Sequence, residues 1–182
     1  MPSDTDPGPA LIARARAAIA AHLDIAIPPA PEHRRFGERG ASFITLRRDG
    51  QLRGCIGSVR ARRSLGEDID ENAVAAASRD PRFAPLTADE FETLDIEVSV
   101  LSRPDLLSTP GEAALLEVLR PGEHGVILHG GCRNATFLPQ VWEQLPEPSR
   151  FLSELKRKAG LAPDHPGEDL LFATFTVDKW SE

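Results

Sequence analysis

Phe43-Ile44-Thr45-Leu46-Arg47-Arg48, Asp49-Gly50 and Gln51-Leu52-Arg53-Gly54-Cys55-Ile56 read as two β-strands joined by a two-residue turn. Asp-Gly is favoured there because both central residues of a tight hairpin turn need positive φ. A two-residue loop sets a register in which Ile44 faces Cys55 and Leu46 faces Arg53. Strand side chains alternate, so Arg53 and Cys55 are expected on one side. Gly54 and Gly57 bracket the cysteine.

Helical patterns lie on both sides of this hairpin. Upstream, Leu11, Ala15, Ile19 and Leu23 recur as on one helix face, and Pro28, Pro29 and Pro31 close that helix. Residues 1–10 read as a flexible tail. Downstream, Ser64-Leu65-Gly66-Glu67 is a capping box, and Leu65, Ile69, Ala73 and Ala76 continue a helix face. That helix is expected to stop near Asp80-Pro81, because a residue before proline avoids the α region. Thr87–Glu90 is a second capping box. Ile96, Val98 and Val100 alternate with polar residues as a strand. Thr109-Pro110-Gly111-Glu112 opens a helix with Leu115, Leu116 and Leu119 inward. Val126–Leu128 and Arg133–Phe137 suggest a second hairpin with Gly130-Gly131 near its tip. Residues 138–145 have room for one helical turn. Phe151, Leu152, Leu155 and Ala159 mark a helix closed by Gly160, and Leu171–Val177 reads as a last strand. Hairpins mixed with helices make an α+β protein, with residues 11–182 as one domain.

The 182 residues are 41% hydrophobic and 27% charged, which disfavours a disordered chain. A net charge of −7 disfavours a protein coated by nucleic acid. Two cysteines, Cys55 and Cys132, make neither a disulfide framework nor a four-cysteine metal site, and fit a reducing cytoplasm. No secretory signal and no membrane-length apolar run is visible. Only three of 21 basic residues are lysine, a bias expected of a GC-rich bacterial genome.

Leu52-Arg53-Gly54-Cys55-Ile56-Gly57 is the clearest candidate for chemistry. A neighbouring arginine favours thiolate over thiol, and glycines let a ligand approach the backbone. A lone cysteine on a strand is more often a small buried hydrophobe, so spacing alone favours a packing role. His129 and Cys132 have metal-ligand spacing, but two ligands do not make a zinc site.

The segment is one of five motifs that together resemble the AMMECR domain family. The others are Glu71-Asn72-Ala73, Arg79-Asp80-Pro81-Arg82-Phe83, Glu97-Val98-Ser99-Val100-Leu101 and Ala135-Thr136-Phe137-Leu138-Pro139-Gln140-Val141-Trp142. The resemblance runs from about Leu11 to Trp180. Prokaryotic members are called protein A of the AmmeMemoRadiSam system. It implies an α+β fold of two interleaved subdomains, larger and smaller, around a cleft, and association with a Memo-like protein and a radical-SAM protein. The positions carried over are Arg53, Gly54, Cys55, Gly57, Asn72, Arg79, Asp80, Arg82, Glu97 and Gln140. Ser78 stands where many relatives carry a bulkier aromatic residue, which bears on the shape of the cleft.

Within that frame Cys55 is the expected nucleophile and Arg53 the group stabilising its thiolate or a substrate anion. Asp80 or Glu97 is the expected acid/base. Asn72 and Gln140 would orient substrate, with Gly54, Gly57, Arg79 and Arg82 completing the binding surface. No cofactor and no metal is expected. Each residue has a plainer alternative. Asp80 could pair with Arg79 or Arg82, Glu97 could lie on a solvated face, Asn72 could bond to nearby backbone, and Gln140 could satisfy a turn. A non-catalytic ligand- or peptide-binding adaptor is the second reading. A third is an RNA-associated protein. Residues 33–63 hold nine arginines against Glu38 and Asp49, a local +7 that leaves −14 for the remainder. That segment has only Phe36 and Phe43 for stacking, and nucleic acid is not the expected partner.

Overall fold

The structure is a computed structural model that describes residues 6–182. The chain divides into two compact units. The first comprises residues up to Leu101 together with Asp178–Glu182, and the second is Ser102–Val177.

In the first unit, helix α1 (Gly8–His22) begins inside the stretch expected as tail. A short antiparallel ladder joins β1 (Arg39–Gly40) to β4 (Arg63–Ser64). Between them lies the hairpin of β2 (Ser42–Arg48) and β3 (Gln51–Gly57). Helix α2 (Leu65–Ser78) starts at the Ser64 capping box and ends at Arg79. The Thr87 capping box opens a 3-10 turn over Ala88–Thr93, and β5 (Leu94–Leu101) follows. The four-stranded sheet runs β10-β5-β2-β3, with β10 (Val177–Ser181) at one edge and β3 at the other. Ile44, Leu46, Ile96 and Val98 of its inner face form the core with Leu11, Ala15 and Ile19 of α1 and Ile69, Ala73 and Ala76 of α2. Gly54 belongs to that face, and a Cβ there would run into the backbone carbonyl oxygen of Ala76. The glycine lets α2 lie against β3.

The hairpin departs from the expected register. Asp49 and Gly50 do adopt positive φ, at 50° and 74°. Arg48 pairs with Gln51 and Arg47 with Leu52, but Leu46 then pairs with Gly54, leaving Arg53 as an extra residue. This bulge moves Cys55 opposite Thr45 and Ile56 opposite Ile44. A shift of one residue exchanges the faces of a strand, so Cys55 leaves the apolar face shared by Ile44 and Leu46.

The second unit holds β6 (Asp105–Leu106), α3 (Glu112–Val118), β7 (Gly125–Gly130), β8 (Arg133–Phe137), α4 (Pro148–Lys158) and β9 (Leu171–Phe175). Its antiparallel sheet runs β6-β9-β7-β8. Trp142, in the 3-10 turn Pro139–Glu143, stacks on Phe151 of α4 with centroids 3.8 Å apart and donates to the His124 carbonyl. In α3, Leu115 is buried but Leu116 faces outward, contrary to expectation. The expected last strand is two, β9 and β10, interrupted at Thr176. Among the described residues no helix is long and apolar enough to cross a membrane.

Candidate functional site

The new register aligns three side chains across the outer face of the first sheet. Cys55 of β3 is opposite Thr45 of β2, and Thr45 is opposite Glu97 of β5. Neighbouring antiparallel residues lie about 4.5–5.5 Å apart, so the Cα atoms of Cys55 and Glu97 are about 10 Å apart. The Thr45 hydroxyl lies 3.4 Å from the Cys55 sulfur. Cys55 and Glu97 are half-buried and Thr45 is buried. The Glu97 side chain makes no hydrogen bond among the described residues.

Asp80 and Arg82 close the other side of Cys55. The ladder leaves the Cys55 N–H and C=O pointing off the sheet edge, where a further strand would pair. Asp80 takes that place. Its Oδ2 accepts the Cys55 N–H at 2.8 Å, while the Arg82 guanidinium donates to the Cys55 carbonyl at 3.3 Å. Arg82 also donates its Nε to Asp80 Oδ1 at 2.9 Å and a terminal nitrogen to Oδ2 at 2.6 Å. The Asp80 side chain is only 2% exposed. The Arg82 hydrogen bonds hold its carboxyl well below the usual carboxylate range despite burial, and the Cys55 N–H adds to the effect. A carboxylate so pinned is a poor proton donor, which leaves Glu97 as the acid/base candidate on this face. Asp80 in turn holds Arg82 protonated, and the Cys55 side chain acts in the same direction. The cation in contact with Cys55 is therefore Arg82, through the backbone carbonyl.

Arg53 does not fill the role expected for it. It forms a bidentate pair with Glu90, at 2.8 and 2.9 Å, and donates to the Ala84 carbonyl at 3.0 Å. Burial opposes ionisation of Glu90, but Arg53 pulls its pKa to about 2, helped by the Thr87 N–H. The bulge removes Arg53 from simple alternation with Cys55. A glycine at 57 leaves room for the Phe43 ring, which lies where its Cβ would be, and Gly54 is covered by α2. Both glycines admit this protein's own groups instead of exposing backbone.

Asn72 is buried on the helix side of the sheet. Its amide donates to the Ser42 carbonyl at 3.0 Å and to Asp68 Oδ2 at 2.9 Å, and Asp68 accepts the Ser42 N–H at 2.7 Å and Arg63 Nε at 2.9 Å. This network ties the start of β2 to α2. Arg79 is exposed at the end of α2, 3.4 Å from Glu71. Ser78 donates to the Val74 carbonyl. Gln140 is exposed on the 3-10 turn of the second unit. The structure thus gathers Cys55, Asp80 and Arg82 at the outer edge of β3, leaves Glu97 two strands away in register with Cys55, and gives Arg53 and Asn72 other partners. Sequence reading missed Thr45, whose only signal was its place opposite Cys55 once the bulge is known. It also missed Glu90, visible only as a capping residue.

The arginine-rich segment is largely tied down. Arg48 and Arg53 pair with Glu90, Arg63 pairs with Asp68, Arg39 donates to the carbonyls of Ala61 and Arg62, and Arg35 lies over Trp180.

The model of the AMMECR1 family matches residues 12–180. This chain belongs to the AMMECR1 family. Protein MK0488 of Methanopyrus kandleri is 38% identical over 167 residues, covering 86% of this chain and 79% of that one. A Methanothermobacter thermautotrophicus protein is 36% identical, with 90% and 87% covered. Protein Mbar_A1807 of Methanosarcina barkeri is 40% identical, but the match spans 71% of this chain and 64% of the relative, just under two thirds of its length. A relative also occurs in the bacterium Thermotoga maritima. The crystal structure of uncharacterized protein PH0010 from Pyrococcus horikoshii superposes with a TM-score of 0.78 at 34% identity, covering 96% of this chain and 91% of that one. The AMMECR1-like α+β fold of antiparallel sheets and helices agrees with the sequence-based expectation.

Proposed function

We propose that this AMMECR1-family protein works in the cytoplasm as a cysteine-dependent component of a modification reaction, together with a Memo-like and a radical-SAM protein. The partners come from the family resemblance. The chemistry rests on one observation, the row Cys55–Thr45–Glu97 with the Arg82 guanidinium on the Cys55 carbonyl. In this reading Cys55 is the nucleophile, Arg82 is the cation bonded to its carbonyl, and Glu97 exchanges a proton with substrate or with a water in contact with it. Asp80 is a positioning residue that fixes the Cys55 backbone and Arg82 together.

Limited alkylation with iodoacetamide from pH 5 to 9, read by peptide mass spectrometry, tests the chemistry. Cys55 is expected to label from a lower pH than the exposed Cys132. If native Cys55 resists labelling until the chain unfolds, the nucleophile reading falls and the ligand-binding adaptor takes its place. Co-purification with the Memo-like and radical-SAM proteins tests the partners.

A further inference from the structure

Three arginines of the first unit meet at the connection between β3 and β4. Arg39 of β1 donates a terminal nitrogen to the carbonyls of Ala61 and Arg62, each at 3.3 Å. Within the connection, the Arg62 N–H donates to the Arg60 carbonyl at 2.9 Å. Arg39, Arg60 and Arg62 are exposed, and none forms an ion pair among the described residues. A carbonyl holds a guanidinium in place without neutralising it, so three positive charges remain on one short stretch of surface.

The other arginines around them are answered. Arg48 and Arg53 pair with Glu90 and Arg63 with Asp68, while Arg47 stands opposite Asp95 in the ladder. The acids nearby are occupied as well. Glu67 accepts from Ser64, and Glu71 lies 3.4 Å from Arg79. Glu38 precedes Arg39 in extended backbone, and successive side chains there project to opposite sides. The cluster therefore lacks an anion of its own.

Two observations choose between a polypeptide and a nucleic acid as the source of that anion. Bases need a face to stack on, and neither aromatic of the segment offers one. Phe36 is buried with Arg14 4.7 Å from its ring centroid, and the Phe43 ring fills the space beside Gly57. The chain as a whole carries −7, which repels a long polyanion. Charges are screened over about 8 Å at physiological salt, so a short acidic segment feels the cluster more than the negative remainder. We infer that Arg39, Arg60 and Arg62 dock an acidic segment of a partner polypeptide, a run of aspartate or glutamate side chains paired with the three guanidinium groups. The assignment is independent of the cysteine site.

Fluorescence anisotropy of a labelled octaglutamate peptide, titrated with the full chain at low and at physiological salt, tests it. Saturable one-to-one binding is expected, several-fold weaker at physiological salt. Arg60→Gln combined with Arg62→Gln is expected to weaken it about tenfold, through the loss of two exposed charge pairs. Arg60→Lys combined with Arg62→Lys keeps the charge and should keep most of the binding. Arg103→Gln combined with Arg150→Gln removes the same net charge from exposed, unpaired arginines of the second unit, and should leave binding unchanged. The inference is overturned if the native chain shows no saturable binding, or if the lysine variant loses as much as the glutamine variant at the cluster. Equal weakening by the two glutamine double variants also overturns it, because attraction would then follow net charge alone. So does an oligouridylate of equal length that binds as tightly as the peptide at physiological salt, since the surface would then be one for nucleic acid.

Discussion

The β2–β3 and β7–β8 hairpins each place a strand at the edge of a four-stranded sheet, turn through a glycine with positive φ, and carry one of the two cysteines. They differ in how the outer strand is covered. At β3 a buried carboxylate accepts the edge N–H of Cys55, and its arginine partner donates to the edge C=O, so both polar groups are met. At β8 the contacts lie at the surface. Lys158 reaches the Thr136 carbonyl at 2.9 Å, and the Arg133 side chain donates to the Gly160 carbonyl. An uncovered edge invites pairing with another chain, and both hairpins answer that hazard. Only β3 answers it with a group built into the interior, which also sets a cation on the carbonyl of a cysteine.

Glycine substitutions separate the hairpins most sharply. Gly54→Ala drives a methyl group into the Ala76 carbonyl, and neither backbone can yield without parting α2 from the sheet. A loss of about 3 kcal/mol or more is expected in urea unfolding. Gly131→Ala meets open space but must keep a φ of 65°, so about 1 kcal/mol is expected. Equal costs would mean that α2 does not depend on Gly54 for its seat.

Asp80→Ala comes next, at about 2–3 kcal/mol, because it leaves the Cys55 N–H and the Arg82 guanidinium without their acceptor. Asp80 and Glu90 both ionise more readily in the folded chain than in the unfolded one. The unfolded chain therefore binds more protons in acid. The stabilisation is complete above the ordinary carboxylate range, near pH 4.5, and fades as pH falls toward the folded values, about 2 for Glu90. Urea midpoints should drop between pH 5 and pH 2.5, and Arg53→Gln should flatten that drop.

Thiol reactivity gives a smaller effect with a clear direction. Arg82→Gln should slow alkylation of native Cys55 about three- to tenfold near neutral pH, as expected when one nearby positive charge is lost. Arg53→Gln should leave Cys55 unchanged, since that guanidinium is held by Glu90. Cys132 labelling should be insensitive to both. A dependence on Arg53 equal to that on Arg82 would restore the partner expected from strand alternation.

That expectation shows where the sequence was legible. The Asp49-Gly50 turn, both capping boxes and the stop before Pro81 follow from backbone preferences within a few residues, and all are present. The bulge at Arg53 is different in kind. It depends on α2 pressing against Gly54 and on Glu90, 37 residues away, holding the Arg53 guanidinium. No local pattern announces either contact. One inserted residue then changed the face of Cys55 and its cross-strand neighbour from Ile44 to Thr45. Proximity of Asp80 and Glu97 to Cys55 was likewise an expectation of family resemblance, because strand alternation fixes a side and says nothing about which strands adjoin.

The smallest predicted effect is at the β8 edge. Lys158 lies at the end of α4, its ammonium donating to the Thr136 carbonyl and resting 5.1 Å from the Phe137 ring centroid. Both contacts are at the surface, where water replaces a lost donor and a cation–π contact is worth about 0.5–1 kcal/mol. Lys158→Ala should therefore cost no more than about 0.5–1 kcal/mol, well below Asp80→Ala. Its sharper consequence concerns association, because the Thr136 carbonyl then lies open on an outer strand. A concentration series by analytical ultracentrifugation is expected to show more self-association for Lys158→Ala than for the native chain, and Lys158→Arg should restore native behaviour by supplying a donor of similar reach. A stability loss matching that of Asp80→Ala would show that the two edges are covered by equally integral contacts, and the distinction between the hairpins would then rest on the cysteines alone.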